Sequence, residues 1–343
     1  MRLSLARPDD FHLHLRDGAA LADLVPPVAL RFARALVMPN LDPPVTTVAA
    51  AAAYRERILA AVPAGADFEP LMTLYLTEET PTAEIARAAA SGFVHAAKLY
   101  PAGATTHSDR GVRDVETIYP LLERMIETGL VLAIHGEMAD PALDPYEREP
   151  RFVETVLAPL VERFPTLKIV LEHVSTRIAV DFVATAGVNV AATITAHHLL
   201  CSRREMFAGG LSPHHFCRPV LQTEADREAL VAAAIGGNPK FFLGSDSAPH
   251  PRAKKECAHA AAGVYTGYAA LELYAEAFAA VGALNRLEAF ASRHGAAFYG
   301  LPVNAGSITL EVAPWKAPAE FPLGVETVVP LGAGKSLRFR ILA

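Results

Sequence analysis

Three kinds of feature are scarce in this sequence, and each absence narrows the field. Cysteine occurs only at Cys201, Cys217 and Cys257, with no CxxC pair. An odd, sparse set builds no disulfide framework and suits a reducing compartment. No apolar run is long and clean enough to cross a bilayer: the stretch 47–53 gives way to Arg55, Glu56 and Arg57. Residues 1–10 lack the apolar core of a secretory signal. The expectation is a soluble, cytoplasmic protein without a membrane partner. Long basic runs are missing too, and the formal net charge is −6. That argues against a nucleic-acid surface and leaves local cations to attract any anionic ligand.

Two further absences bear on the fold. There is no low-complexity linker, so residues 1–343 are expected to form one domain, and no GxGxxG follows an early strand, which weakens a dinucleotide-binding sheet. What is present is an alternation of element types, within a sequence that is 52% hydrophobic. Short β-rich runs lie at 9–14, 34–38, 70–76, 95–100, 130–135, 168–173, 189–195 and 240–245. Between them lie Ala-rich or amphipathic segments at 47–61, 81–90, 114–128, 151–164, 176–186 and 223–235. In 114–128, Val115, Ile118, Leu121, Leu122, Met125 and Ile126 recur at helical spacing. Thr80-Pro81 predicts a helix with Pro at its first position. Eight strands alternating with helices predict an α/β fold, a (β/α)8 TIM barrel, with a doubly wound sheet as the alternative. Two more helices are expected within 265–298. Short β pieces in 305–343 predict a C-terminal extension flanking the barrel.

The chemistry-bearing residues fall at the ends of these runs. Asp-Phe-His-Leu-His-Leu-Arg-Asp-Gly, residues 10–18, puts His12 and His14 two apart, on one face of a strand. Two imidazoles aimed at one point can chelate a metal; a lone pair of this kind can equally be hydrogen-bonded core histidines. The other strand ends decide between these. His135 ends 130–135, His173 ends 168–173, and Asp246 follows 240–245. Barrel enzymes carry their catalytic groups at this position, and four strands ending in metal-capable groups predict a metal centre. Strand 95–100 carries Lys98, an ammonium in an apolar run. It can snorkel out or pair with an acid. Alternatively, burial and nearby cations free the amine to add carbon dioxide, giving an anionic carbamate able to bridge two metals.

At this point the motifs reach a family. The chain resembles the amidohydrolase superfamily, and more narrowly the shorter bacterial dihydroorotases called class II. The resemblance rests on Pro-Asp-Asp-Phe-His-Leu-His-Leu-Arg at 8–16, Met-Pro-Asn-Leu at 38–41, Ala-Lys-Leu-Tyr-Pro at 97–101, His-Gly-Glu at 135–137, Leu-Glu-His-Val-Ser-Thr at 171–176 and Gly-Ser-Asp-Ser-Ala-Pro-His at 244–250. It implies two zinc ions per chain, one on His12, His14, Lys98 and Asp246, the other on Lys98, His135 and His173. Lys98 would be N6-carboxylated and Asp246 would be the catalytic proton carrier. It implies a substrate site in which Arg16, Asn40 and His250 grip a carboxylate, with the backbone at Ala262 and Arg218 holding a ring. Loop 101–113 would be a lid, with Thr105 and Thr106 reaching the substrate. The implied reaction is the reversible, zinc-dependent cyclisation of N-carbamoyl-L-aspartate to (S)-dihydroorotate in pyrimidine biosynthesis, catalysed by a homodimer.

Some positions depart from the pattern or stay unassigned. Ala196 stands where the family has Pro before its paired histidines, and Met138 follows His-Gly-Glu. His197, His198, His214, His215 and the cysteines receive no role, although an outer-shell place is open to His197 and His198. Two other readings are weighed. A hydantoinase-like cyclic amidase keeps the metal ligands but lacks the paired Arg16 and Asn40. An inactive scaffold barrel loses ligands, whereas all six are present here.

Overall fold

The computed structural model describes residues 2–342. The chain enters along β1 (Arg2–Ala6) and then lays down eight strands that pair in chain order, each parallel to the next. These are β2 (Asp9–Leu13), β3 (Arg34–Val37), β4 (Glu69–Tyr75), β5 (Val94–Leu99), β6 (Val131–His135), β7 (Ile169–Glu172), β8 (Val190–Ile194) and β9 (Phe241–Leu243). The last and first of them meet where the end of β2 pairs with the residues just after β9. Leu13 and Ser247 form a parallel bridge, His14 N donates to Ser247 O at 3.0 Å, and Asp246 N donates to His12 O at 2.8 Å. This seam makes the sheet a nearly closed barrel, and it is stitched by residues singled out above as candidates for the chemistry.

Both faces of the barrel strands are apolar, because helices cover the outside and side chains fill the inside. Period two separates the two faces. Phe11, Leu36, Leu71, Ala96, Val131, Ala133, Val170, Ala191 and Phe242 pack together, at least one from each of the eight strands, so this cluster is the interior. Their neighbours Val37, Leu74, Ala97, Leu132, Leu171, Ala192 and Leu243 join the outer core beneath the helices. The floor is plugged from the helix His294–Tyr299, where Tyr299 stacks on Phe11 at 4.8 Å between ring centroids. Gly244 has no room for a side chain: a Cβ there would lie 2.6 Å from Thr193 Cβ and 3.1 Å from His12 Cβ.

The predicted helices are found with small shifts. Thr47 caps Val48–Ala60, Thr176 caps Arg177–Thr185, and Thr223 with Asp226 forms a capping box on Glu224–Ile235. Pro81 is not the first helical residue as predicted. Its ψ of 141° is extended, so it is the N-cap and the helix runs Thr82–Ala90. Segment 114–128 opens with a 3-10 turn before Tyr119–Thr128, and 151–164 begins earlier, at Arg148, with a π turn inside it. No helix of the described residues is long and apolar enough to cross a membrane.

The flanking part is not purely C-terminal. β10 (Ser307–Lys316) lies between β1 and β13 (Ser336–Leu342) in an antiparallel sheet, so the two ends of the chain build it together. A small hairpin, β11 (Phe321–Leu323) and β12 (Glu326–Val328), lies between them in sequence. Leu5, Leu310, Phe339 and Ile341 belong to the same apolar core as the outer faces of the barrel strands.

Candidate active site and metal centre

Above the apolar floor the same interior positions turn polar. Continuing each strand by twos leads from Ala96 to Lys98, from Ala133 to His135, from Val170 to Glu172 and from Phe242 through Gly244 to Asp246. Two residues break that period and still face inward. His12 directly follows the interior Phe11, and the pairing of β2 with β3 shifts register between Asp10 and Leu13. His173 follows Glu172, and its φ of 45° swings it into the same space. Among the described residues, four non-glycine residues have positive φ: Arg16, His107, His173 and Asp246. Three of these line the central pocket and the fourth lies in the loop over it. Backbone strain of about 1–3 kcal/mol each is thus concentrated where side chains must converge.

The pocket is lined by His12, His14, Arg16, Asn40, Thr105, Thr106, His135, His173, Arg218, Asp246, His250 and Ala262, together with Tyr100, Ala248 and Gly263. Every site residue predicted from the sequence is therefore gathered around one space, except Lys98, which lies wholly buried and does not reach the lining. Asp246 Oδ1 is 3.3 Å from His12 Nε2 and 3.1 Å from His14 Nε2. The two histidine Nε2 atoms are 3.4 Å apart, and His135 Nδ1 lies 3.2 Å from His173 Nε2. Burial holds all four imidazoles below their usual range, His14 to about 4. They are therefore neutral, the form that ligates a metal. Burial works to raise Asp246, but the close contacts with His12 and His14 outweigh it and hold the carboxylate well below its usual range, so it is ionised.

These contacts test whether a cation fits. Nitrogen faces nitrogen, and the buried His173 Nδ1 has no hydrogen-bond partner. Ligand atoms of His12, His173 and Asp246 all lie within 4.8 Å of one another. Neutral imidazoles crowded around a carboxylate, with their lone pairs opposed, form a donor set that a cation such as Zn²⁺ would satisfy.

Lys98 pairs with an acid that the sequence reading passed over. Its ammonium donates to Glu172 Oε2, and both groups are fully buried. Burial pulls the Lys98 pKa well below that of an ordinary lysine. Glu172 Oε1 lies 3.0 Å from His12 Nδ1, outside hydrogen-bond geometry, so Glu172 sits between the lysine and a candidate ligand. Its signal in the sequence is the same as that of Lys98, a charge inside an apolar strand. Other acids also stand behind the ligands. Glu137 accepts from His135 Nε2 at 2.7 Å, which leaves His135 Nδ1 facing the centre, and burial raises Glu137 to about 8. Asp10 accepts from the backbone of His12 and Ser245, tying β2 to β9. Such partners fix the orientation of ligands.

On the opposite wall, Arg16 Nε donates to Pro249 O at 2.9 Å, and Arg16 Nη2 lies 3.1 Å from His250 Nε2, itself 2.9 Å from Ala262 O. Arg16 takes neither Asp17 nor Asp42 as a partner; Asp17 is held by Arg57 at 2.7 Å. Asn40 Oδ1 meets His14 Nδ1 at 2.8 Å, and Asn40 Nδ2 donates to Thr106 O at 3.1 Å. The loop 101–113 is thereby fastened over the pocket. Tyr75 donates to His107 O, and the Arg218 guanidinium donates to Ala104 O. Arg218 thus contributes its side chain, where only its backbone was expected to matter.

Comparison with known proteins agrees with this geometry. An amidohydrolase family model matches residues 8–179. A dihydroorotase of Cupriavidus necator is 59% identical over 339 residues, spanning 99% of this chain and 98% of that one. The crystal structure of the Campylobacter jejuni dihydroorotase superposes with a TM-score of 0.91 at 36% identity, covering 100% of this chain and 98% of that one. A Saccharomyces cerevisiae dihydroorotase, solved in complex with 5-fluoroorotic acid, gives a TM-score of 0.92 at 33% identity, covering 99% and 98%. The chain belongs to the dihydroorotase family of the amidohydrolases and is a cyclic amide hydrolase.

Proposed function

We propose that this enzyme interconverts N-carbamoyl-L-aspartate and (S)-dihydroorotate plus water, within de novo pyrimidine biosynthesis. The observation that carries this reading is the pairing of two halves in one pocket. Four neutral imidazoles and Asp246 crowd one side, and the Arg16–His250 pair lies on the other. The first half suits amide chemistry; the second suits a substrate that carries a carboxylate. The yeast relative was solved with a ring acid of that kind.

His12, His14, Asp246, His135, His173 and a carboxylated Lys98 would hold two zinc ions. Bound zinc would polarise the amide carbonyl and bring the pKa of water from about 15.7 towards about 7. Carboxylation turns Lys98 from a cation into an anion, which ends its pairing with Glu172. Glu172 Oε1, which Lys98 does not engage and which lies 3.0 Å from His12 Nδ1, would accept from that nitrogen and leave Nε2 to face the centre. Asp246, ionised and at the pocket floor, takes the proton of the attacking water and hands it to the leaving amide nitrogen; in cyclisation it returns that proton. Arg16 and His250 hold the substrate carboxylate, assisted by Asn40. The backbone at Arg218 and Ala262 holds the ring. Thr105 and Thr106 close over it and exclude water.

The test is paired: metal content of the purified protein and loss of dihydroorotate on incubation. At least two zinc ions per chain with turnover supports the reading. Metal without turnover moves the substrate to another cyclic amide. Neither, even after zinc and bicarbonate are supplied, overturns it. Arg16→Gln sharpens the substrate assignment: losing charge-assisted bonds of about 1.5–3 kcal/mol should raise KM roughly 10- to 100-fold. The same reading takes residues 1–343 as one hydrolase domain of a cytoplasmic homodimer, which sedimentation of the purified enzyme tests.

A further inference from the structure

We infer that His197, His198 and Cys217 form a second cation site, distinct from the pocket, for a single borderline-soft divalent ion such as zinc. The two histidines open the short helix Ala196–Leu200 that follows β8, and Cys217 approaches from the segment after Pro213–His215. All three are buried, at 1%, 2% and 0% exposure, and none of them lines the pocket. Ligand atoms of the three lie within 4.8 Å of one another. Cys217 Sγ is 4.0 Å from His198 Nε2, and the Pro219 carbonyl oxygen is 3.1 Å from each, so a fourth donor stands at the same point.

The observation that asks for a ligand is His197. Both of its ring nitrogens are buried and neither has a hydrogen-bond partner. A buried polar group left unpaired is destabilising, and an imidazole has two of them. Its ring lies against that of His198, with centroids 4.7 Å apart. The neighbours are satisfied without it, but in a way that yields to a cation. His198 Nδ1 is 2.8 Å from the Thr195 hydroxyl, which can either donate or accept. With Nδ1 protonated and donating to Thr195, Nε2 is released from Pro219 O and becomes a ligand. Burial holds both imidazoles neutral and keeps the Cys217 thiol protonated. An arriving divalent cation converts the thiol to thiolate and expels one proton, with no redox change. Sulfur sets this site apart from the all-nitrogen-and-oxygen pocket, since thiolate selects softer ions.

Cobalt reads the difference directly, because only a thiolate ligand gives a sulfur-to-cobalt charge-transfer band in the near ultraviolet. The full-length enzyme is stripped with a chelator and reloaded with Co²⁺. The expected result is that band, with one more cobalt per chain than Cys217→Ser retains. The band should vanish in Cys217→Ser and in His197→Gln, whose far-ultraviolet circular dichroism checks the fold. It should persist in Asp246→Ala, which damages only the pocket. No band in the unmodified enzyme, a band that survives Cys217→Ser, or one that disappears with Asp246→Ala would each overturn the assignment. The first of these outcomes leaves a hydrogen-bonded core cluster.

Discussion

The floor and the mouth of this barrel are built by the same eight strands, a few residues apart, yet they obey opposite rules. Below, Phe11, Leu71, Val131, Val170 and Phe242 meet the Phe298 and Tyr299 rings in an apolar fill. Above, Lys98 and Glu172 are buried charges, imidazole nitrogens oppose one another, and three side chains hang on left-handed backbone. A mouth of this kind could not hold itself together. Opposed lone pairs and strained φ angles persist only because the rigid layer beneath over-determines them. Stability and function are thus separated along the barrel axis, and substitutions should separate them too.

The largest expected effect is at the mouth. Asp246→Ala removes the proposed proton carrier and a candidate ligand, so turnover of dihydroorotate should fall by at least ~10²–10⁴-fold. Because Asp246 faces a pocket and fills no apolar contact, the thermal unfolding midpoint in chelator should move little. Retention of activity would remove Asp246 from the mechanism. The converse change is Phe242→Ala at the floor, where the ring is fully buried against Phe11, Phe298 and Tyr299. It should cost about 3–5 kcal/mol of stability in denaturant unfolding. Turnover per folded molecule should stay within a small factor. A collapse of kcat in the folded fraction would show that the two layers are not separable.

Much of this division is legible in the sequence. Strands buried on both faces leave short apolar runs, and all eight fall within two residues of their predicted bounds. The ends of those runs are where His12, Lys98, His135, His173 and Asp246 stand, so convergence follows from barrel closure alone. What is not legible depends on backbone angle or on distant partners. Period two places Glu172 and His173 on opposite faces, and only the positive φ of His173 reconciles them. Glu172 carries a readable signal but stands beside a histidine that explains the motif without it. β1 is short, and its partner β10 lies some 300 residues away in sequence, so nothing local marks it. The pairing of His197 and His198 with Cys217 depends on how a loop returns, which no spacing encodes. The Arg218 guanidinium bond to Ala104 is of the same kind.

Between mouth and floor there should also be a difference in pH response. Lys255 is 3% exposed and donates to the carbonyls of Phe216, Ala261 and Gly263, pinning two loops at the mouth. Burial lowers its pKa from 10.5 to about 8. Between those values the unfolded chain holds more protons than the folded one, so stability attributable to this group rises with pH across that window. Below pH 8 the ammonium is present in both states and the slope vanishes. Denaturant unfolding of the wild type against Lys255→Met, from pH 7 to 10, should show the wild type gaining relative to the variant. A gap that narrows with rising pH would mean that the ammonium is stabilised in place rather than penalised. The floor, which has no such group in its apolar cluster, should contribute no slope there.

The smallest effect expected is Tyr299→Phe. The ring seals the floor by stacking on Phe11 with an interplanar angle of 13°, while its buried hydroxyl has no hydrogen-bond partner. Burial without a partner pushes the hydroxyl pKa far upward, so it is neutral at any working pH. Removing the oxygen keeps the stack and relieves a desolvated polar atom, so stability should be unchanged or higher by up to about 1–3 kcal/mol. Turnover should not change. The sign is what matters: a loss of stability would mean that the hydroxyl is hydrogen-bonded to an internal water, and the floor would then share the polar character of the mouth. A gain would leave the floor as a purely apolar support, and the functional groups above it would be the only polar machinery inside the barrel.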